Sequence, residues 1–260
     1  MSAVNLERSG AVAELTLCRP EAMNAFDGAM HAAFVDALDE LRDDRDTRAV
    51  VLAAQGRFFS AGGDFELMRA LHDDAEERAR VADEARHLIR ALLALRQPVV
   101  VALQGPAIGL GATIVLACDA IVAARSAALA DPHVNIGLVA GDGGCVVWPA
   151  ALGVALAKRH LLTGDPLPAE RAYQLGLVSD LVDEPAGALP AARALAERMA
   201  ALPPLAVQGT KASLNRALAA RADEVLDFSL EQEVVTMASA DLLEAIAAFT
   251  ERRPGRYQGA

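Results

Sequence analysis

The chain has 260 residues, 53% hydrophobic and 23% charged, which suits one large buried core and excludes a disordered chain. Its net charge of −11 argues against nucleic-acid binding, which needs clustered Lys and Arg. An anionic ligand must therefore be held by local basic residues or helix N-termini, against the global field.

Glu7 and Arg8 arrive before any apolar stretch, so no secretory leader is expected. Residues 11–17 alternate around Glu14 and Thr16 as a strand does, and Arg19-Pro20 ends it. Met30, Phe34, Leu38 and Leu41 recur at helical spacing, which predicts an amphipathic helix over 28–42. A short apolar run at 48–54 reads as a buried strand, 58–63 as a small-residue loop, and Asp64 starts a helical pattern. Residues 73–96 form a long helix, with an acidic start and a basic later half that suit its dipole. Then come a buried strand at 98–103, a glycine-rich turn at 105–111, a buried helix at 112–118 and a strand at 119–124. The uncharged run 97–118 is broken by Pro98, Gln104 and Pro106, and is read as strand, turn and helix, not as a membrane span. Strands alternate with helices to about residue 185, which implies βαβ-type units with parallel strands. Beyond that, helices are expected at 189–201, 205–219, 224–238 and 242–252. The α/β core with the active site is assigned to 1–190 and a helical part to 191–260. Cys18, Cys118 and Cys145 form no CxxC pair, so a reducing, cytoplasmic setting without disulfide or metal site is expected.

Two segments share one design: Arg57-Phe58-Phe59-Ser60-Ala61-Gly62-Gly63-Asp64 and Gln104-Gly105-Pro106-Ala107-Ile108-Gly109-Leu110-Gly111. Each follows a buried strand and leads into a helix. Small residues admit a ligand to the backbone, and a helix N-terminus offers free N–H groups. Two such turns facing one pocket make an oxyanion hole; either one alone is equally a simple chain reversal. A dinucleotide fingerprint is excluded, because Ile114 stands where the last glycine of GxGxxG belongs, and there is no P-loop.

The pair of motifs, in this order and at this separation, resembles the crotonase (enoyl-CoA hydratase/isomerase) superfamily. The likeness extends from Arg19-Pro20-Glu21-Ala22-Met23-Asn24-Ala25 to Phe249-Thr250-Glu251-Arg252-Arg253-Pro254. It implies a spiral of ββα units with a helical C-terminal trimerisation part, and a homotrimer or dimer of trimers. It also implies coenzyme A thioester substrates and no permanently bound cofactor. By position in the family motifs, the oxyanion hole is formed by the N–H groups of Gly63 and Leu110. Ala25, Ala61, Gly62, Asp64, Phe65 and Thr113 belong to the coenzyme A and substrate site, and Arg252 or Arg253, often from a neighbouring subunit, meets the phosphates.

The chain departs from that pattern. Leu110 stands where glycine is usual, which leaves its N–H intact. The two glutamates of family hydratases are missing: Thr113 holds one place and His133, after Pro132, holds the other. That leaves His133 and Asp142 as catalytic candidates; on their own terms they are equally a loop histidine and a helix N-cap. The His133/Asp142 pair, followed by Val146-Val147-Trp148-Pro149, resembles the β-diketone hydrolase (6-oxocamphor hydrolase) branch. Three functions follow: an acyl-CoA hydratase or isomerase working through an enolate, a coenzyme-free retro-Claisen hydrolase of β-diketones, and a non-catalytic acyl-CoA-binding relative.

Overall fold

The computed structural model describes residues 2–260. The chain opens with an antiparallel hairpin, β1 (Val4–Ser9) and β2 (Val12–Leu17). In β2, Ala13, Leu15 and Leu17 are buried and the residues between them only half-buried, the two-residue period of a one-faced strand. β1 was not foreseen, because its sequence, Val4-Asn5-Leu6-Glu7-Arg8-Ser9, is that of a mostly polar edge strand. A 3-10 turn at Pro20–Ala22 leads to α1 (Gly28–Asp43), whose N-cap Asp27 accepts from the Met30 N–H at 2.8 Å. Met30, Phe34, Leu38 and Leu41 of α1 are buried, as their spacing predicts.

β3 (Ala49–Ala54), α2 (Phe65–Asp73), α3 (Ala75–Ala94) and β4 (Val99–Leu103) follow. Asp74 separates α2 from α3 by capping the latter at Glu76 and Glu77. Next come β5 (Ala107–Ile108), α4 (Leu110–Leu116), β6 (Ala120–Ala124), β7 (Ala128–Ala130), and a 3-10 turn at His133–Ile136. The rest of the core is α5 (Gly144–Leu152), α6 (Val154–Leu161), β8 (Leu167–Pro168), α7 (Ala169–Gln174) and β9 (Asp180–Val182). The chain finishes with α8 (Pro185–Ala200), α9 (Pro204–Met237) and α10 (Ala240–Glu251).

Six strands form the main sheet in the order β1-β2-β3-β4-β6-β9, parallel from β2 onward, and β5-β7-β8 form a small second sheet. One face of the main sheet is closed by α8. Ala188, Ala192, Ala196 and Ala200, four apart, lie against Val51, Val100 and Val122. Small side chains let the helix settle close to the strands. The opposite face carries the larger core, with Leu52, Val101 and Leu103 packed among residues of α1, α3, α4 and Trp148. Residue 190 therefore falls inside a helix that belongs to the sheet, and the core runs on to Ala200.

The two helices expected at 205–219 and 224–238 are one, the 34-residue α9. Residues 220–223 contain no breaker, and Ala222 is buried on the inner face. No helix among the described residues is long and apolar enough to cross a membrane.

Candidate active site

β3 and β4 are parallel neighbours, with Val50 opposite Val99. Their carboxyl ends therefore deliver both glycine-bearing turns to one edge of the sheet. The turns are laced together: Phe59 N–H donates to Pro106 C=O at 3.0 Å, and Ile108 N–H to Ser60 C=O at 2.9 Å.

Asn24 braces the first turn from beneath. It is fully buried in the left-handed region (φ 52°), and its side chain accepts from Arg19 N–H and donates to the carbonyls of Gln55 and Phe58. Ser60 Oγ donates to Asn24 C=O and accepts from Gly62 N–H. Gly62 is glycine of necessity: at φ +86° a Cβ would lie 2.8 Å from Ile108 C=O. The next N–H, of Gly63, has no acceptor among the described residues, and neither has that of Leu110, first residue of α4.

Gly109 N–H donates to Ala130 C=O at 2.9 Å, which ties the second turn to β7 and to Asp131-Pro132-His133 beyond it. A Cβ on Gly109 would come within 3.3 Å of His133 Cε1. The imidazole thus stands against the turn that carries the Leu110 N–H. His133 Nδ1 meets Asp131 Oδ1 at 2.5 Å, and Nε2 faces Asp142 Oδ2 at 3.6 Å, an ion-pair distance beyond hydrogen-bond range. Asp142 does not cap α5; Gly143 occupies that place, and Asp142 Oδ1 is buried without a partner.

Two cavities meet here. An open groove of about 640 Å³ is lined by Ala25, Ala61, Gly62, Asp64, Phe65 and Phe249, among others. A small inner chamber of about 60 Å³ is lined by Leu110, Asp142, His31, Glu233 and apolar side chains. Gly63, Asp64, Met68 and His133 line both.

Burial opposes charge on His133, but Asp131, Asp142 and Glu233 outweigh it and hold the imidazolium up to about 10. Burial raises Asp142 to about 6; His133 pulls it down and Asp131 pushes it up. Burial, then the charge of Asp142, raises Glu233 well above the usual carboxylate range. The centre is therefore an imidazolium among acids, with burial holding Asp142 and Glu233 above the usual carboxylate range.

The structure brings together His133, Asp142, Gly63 and Leu110, and sets Ala25, Ala61, Gly62, Asp64 and Phe65 along the groove. Thr113 is not in either cavity. Its N–H closes the first turn of α4 on Gly109 C=O, and its side chain is buried against the position of Gly143. Arg252 and Arg253 lie outside the groove of their own chain. Arg253 is already paired with both carboxylate oxygens of Glu244, whereas Arg252 is exposed and in no ion pair among the described residues.

Asp131 and Glu233 were missed from sequence. Asp131 stands before a proline, where an acid reads as a turn residue. Glu233 left a trace: it falls on the buried stripe of α9 with Leu226, Leu230 and Met237, an acid where apolar side chains belong. No cluster of three or more His, Cys, Asp or Glu side chains is arranged to hold a metal ion among the described residues.

Residues 7–260 match the family model described as enoyl-CoA hydratase/isomerase. The chain is 32% identical to 2,3-dehydroadipyl-CoA hydratase of Escherichia coli over 100% of both chains. It superposes on the crystal structure of an enoyl-CoA hydratase/isomerase from Mycobacterium paratuberculosis with a TM-score of 0.91, 36% identity and 95% and 98% of the two chains covered. It also superposes on a β-diketone hydrolase from the cyanobacterium Anabaena, bound to (S)-3-oxocyclohexyl acetic acid, with a TM-score of 0.84, 27% identity and 91% and 94% covered. From the sheet to the last helix, the chain belongs to the enoyl-CoA hydratase/isomerase family, the crotonase superfamily.

Proposed function

We propose that this protein is an acyl-CoA enzyme that adds water to an enoyl thioester, or moves its double bond, through an enolate, with His133 and Asp142 in place of the family glutamates. The observation that carries this is the pair of uncommitted N–H groups, Gly63 and Leu110, at the junction of a long groove and a buried chamber that holds His133. The groove accommodates a pantetheine arm and the chamber the acyl group. Two N–H donors fixed in advance meet the oxygen on which charge develops.

Asp142, with a pKa of about 6, is ionised at neutral pH, while His133 is charged. Asp142 takes a proton from water as the water oxygen bonds to the β carbon. The double-bond pair moves onto the thioester oxygen, held by the Gly63 and Leu110 N–H groups. The enolate then takes the Nε2 proton of His133 at its α carbon, and the proton on Asp142 returns to His133 across 3.6 Å. For isomerisation the same two groups remove and return a proton without water. Arg252, exposed and in no ion pair among the described residues, is the better of the two C-terminal arginines to reach a phosphate, and it would do so on a neighbouring copy.

A second reading, coenzyme-free hydrolysis of a β-diketone, is supported by the likeness to the Anabaena hydrolase and by the His133/Asp142 pair. There water adds to a ketone carbon, the adjacent C–C bond breaks, and the same N–H pair holds the enolate. Calorimetric titration with crotonyl-CoA separates the two. Micromolar binding that weakens on Arg252→Ala is expected. No binding by the folded protein overturns the first reading and favours cyclic β-diketones as substrates.

A further inference from the structure

The inner chamber has polar groups that the proton transfers above leave unused. Besides Asp64, His133 and Asp142, its wall carries Glu233 and His31 among apolar side chains such as Phe26, Leu71 and Leu138. They are 4% and 6% exposed, and Glu233 Oε2 and His31 Nδ1 are both buried without a hydrogen-bond partner. Buried polar atoms are nearly always satisfied, by protein, water or ligand.

Glu233 is held there by built contacts. Ser229 Oγ donates to Gly141 C=O at 3.1 Å and Thr236 Oγ1 accepts from Val139 N–H at 3.2 Å, so one face of α9 grips the loop beside Asp142. Gly141 makes room: a Cβ would lie 2.7 Å from Glu233 Oε2. Burial favours the uncharged form of both groups. Burial and the charge of Asp142 raise Glu233 well above the usual carboxylate range. Burial, then Arg80, pushes His31 down to about 4. The chamber thus presents an O–H and an imidazole beside the His133 imidazolium, which the two carboxylates of Asp131 and Asp142 flank and outnumber, so a further carboxylate is disfavoured. At ~10–15 Å³ for each water-sized group, its volume of about 60 Å³ admits only a few atoms.

Building on the acyl-CoA reading, we propose that the chamber selects a short, uncharged acyl group bearing a hydroxyl or carbonyl oxygen beyond its reacting carbons, recognised by Glu233 and His31. A site that hydrogen-bonds such an oxygen discriminates against the analogue without it, because that analogue leaves the buried groups unpaired.

The test is calorimetric titration of the full-length protein with crotonyl-CoA and with 4-hydroxycrotonyl-CoA, which differ by that one oxygen. The hydroxylated thioester is expected to bind at least about tenfold more tightly. Glu233→Leu should collapse this ratio towards one, Glu233→Gln, which keeps a donor, should retain most of it, and His31→Phe should reduce it. Equal affinities for the two thioesters, or a preference that survives Glu233→Leu, overturn the inference and leave the acyl-CoA reading standing. Absence of binding by either thioester overturns both.

Discussion

At the scale of single residues, the proposed mechanism depends on which carboxylate holds which nitrogen of His133. Asp131 grips Nδ1, so Nε2 is the atom that would serve the reaction. His133 in the folded protein, at about 10, lies above its unfolded value of 6.5, so it binds its proton more tightly when folded. That stabilisation is complete below pH 6.5 and is lost as pH rises through about 10. Asp131→Asn removes one partner of a buried pair, which is expected to cost about 3–5 kcal/mol near pH 6. The gap to the wild type should narrow towards pH 10; thermal unfolding across that range checks it, and a constant gap would mean that the pair is not titrating. For catalysis, kcat/KM should rise as the coupled centre loses a proton near pH 6 and fall as it loses another near 10. His133→Ala should lower kcat by about 10²–10⁴ while leaving ligand affinity close to that of the wild type. Normal turnover in that variant would remove both enzymatic readings. The sequence pointed to His133 and Asp142 as candidates because family motifs mark their positions, and the structure sets them 3.6 Å apart. It gave no sign that Asp131 and Glu233 stand beside them, since residues so far apart in the chain meet only when α9 is laid on the loop at 139–142.

At the scale of elements, strands and helices with clean periodicity were readable. The 28–42 helix, the strand at 48–54 and the strand at 98–103 all stand where their apolar spacing put them. Elements whose stability comes from distant partners were not. β5, β7 and β8 are two or three residues each, too short to leave a pattern, and exist because they pair with one another. α9 looked like two helices because its polar middle interrupts the pattern, yet nothing in that stretch breaks a helix. The contact of α9 with the Asp142 loop can be tested at Gly141. In Gly141→Ala the new Cβ would lie 2.4 Å from Ser229 C=O, so backbone must move. Overpacking of this kind costs about 1–3 kcal/mol, and here it should also lower kcat by displacing Asp142. Chemical denaturation and steady-state kinetics on one preparation measure both; unchanged kcat would mean that the loop is not held by α9.

At the scale of the whole molecule, α9 leaves Leu205, Leu214, Phe228 and Val235 between 64% and 86% exposed, more large apolar surface than a monomer normally leaves in water. The family resemblance implies a homotrimer or a dimer of trimers, which would cover such side chains, and light scattering should then give three or six times 27.2 kDa. A mass of 27.2 kDa at micromolar concentration would refute it. α9 itself is a single rod of 34 residues, roughly 50 Å long at 1.5 Å per residue. Near one end it is anchored by Lys211, whose Nζ donates to Asp119 Oδ2 at 2.7 Å and to Gln97 C=O at 2.8 Å, at the amino ends of β4 and β6. Near the other end it supplies Glu233 and Met237 to the chamber wall. A rod without a break, held near one end and lining the chamber near the other, is expected to carry pressure on its exposed flank towards the chamber, so the shape of the chamber would depend on what rests against the outside of the molecule.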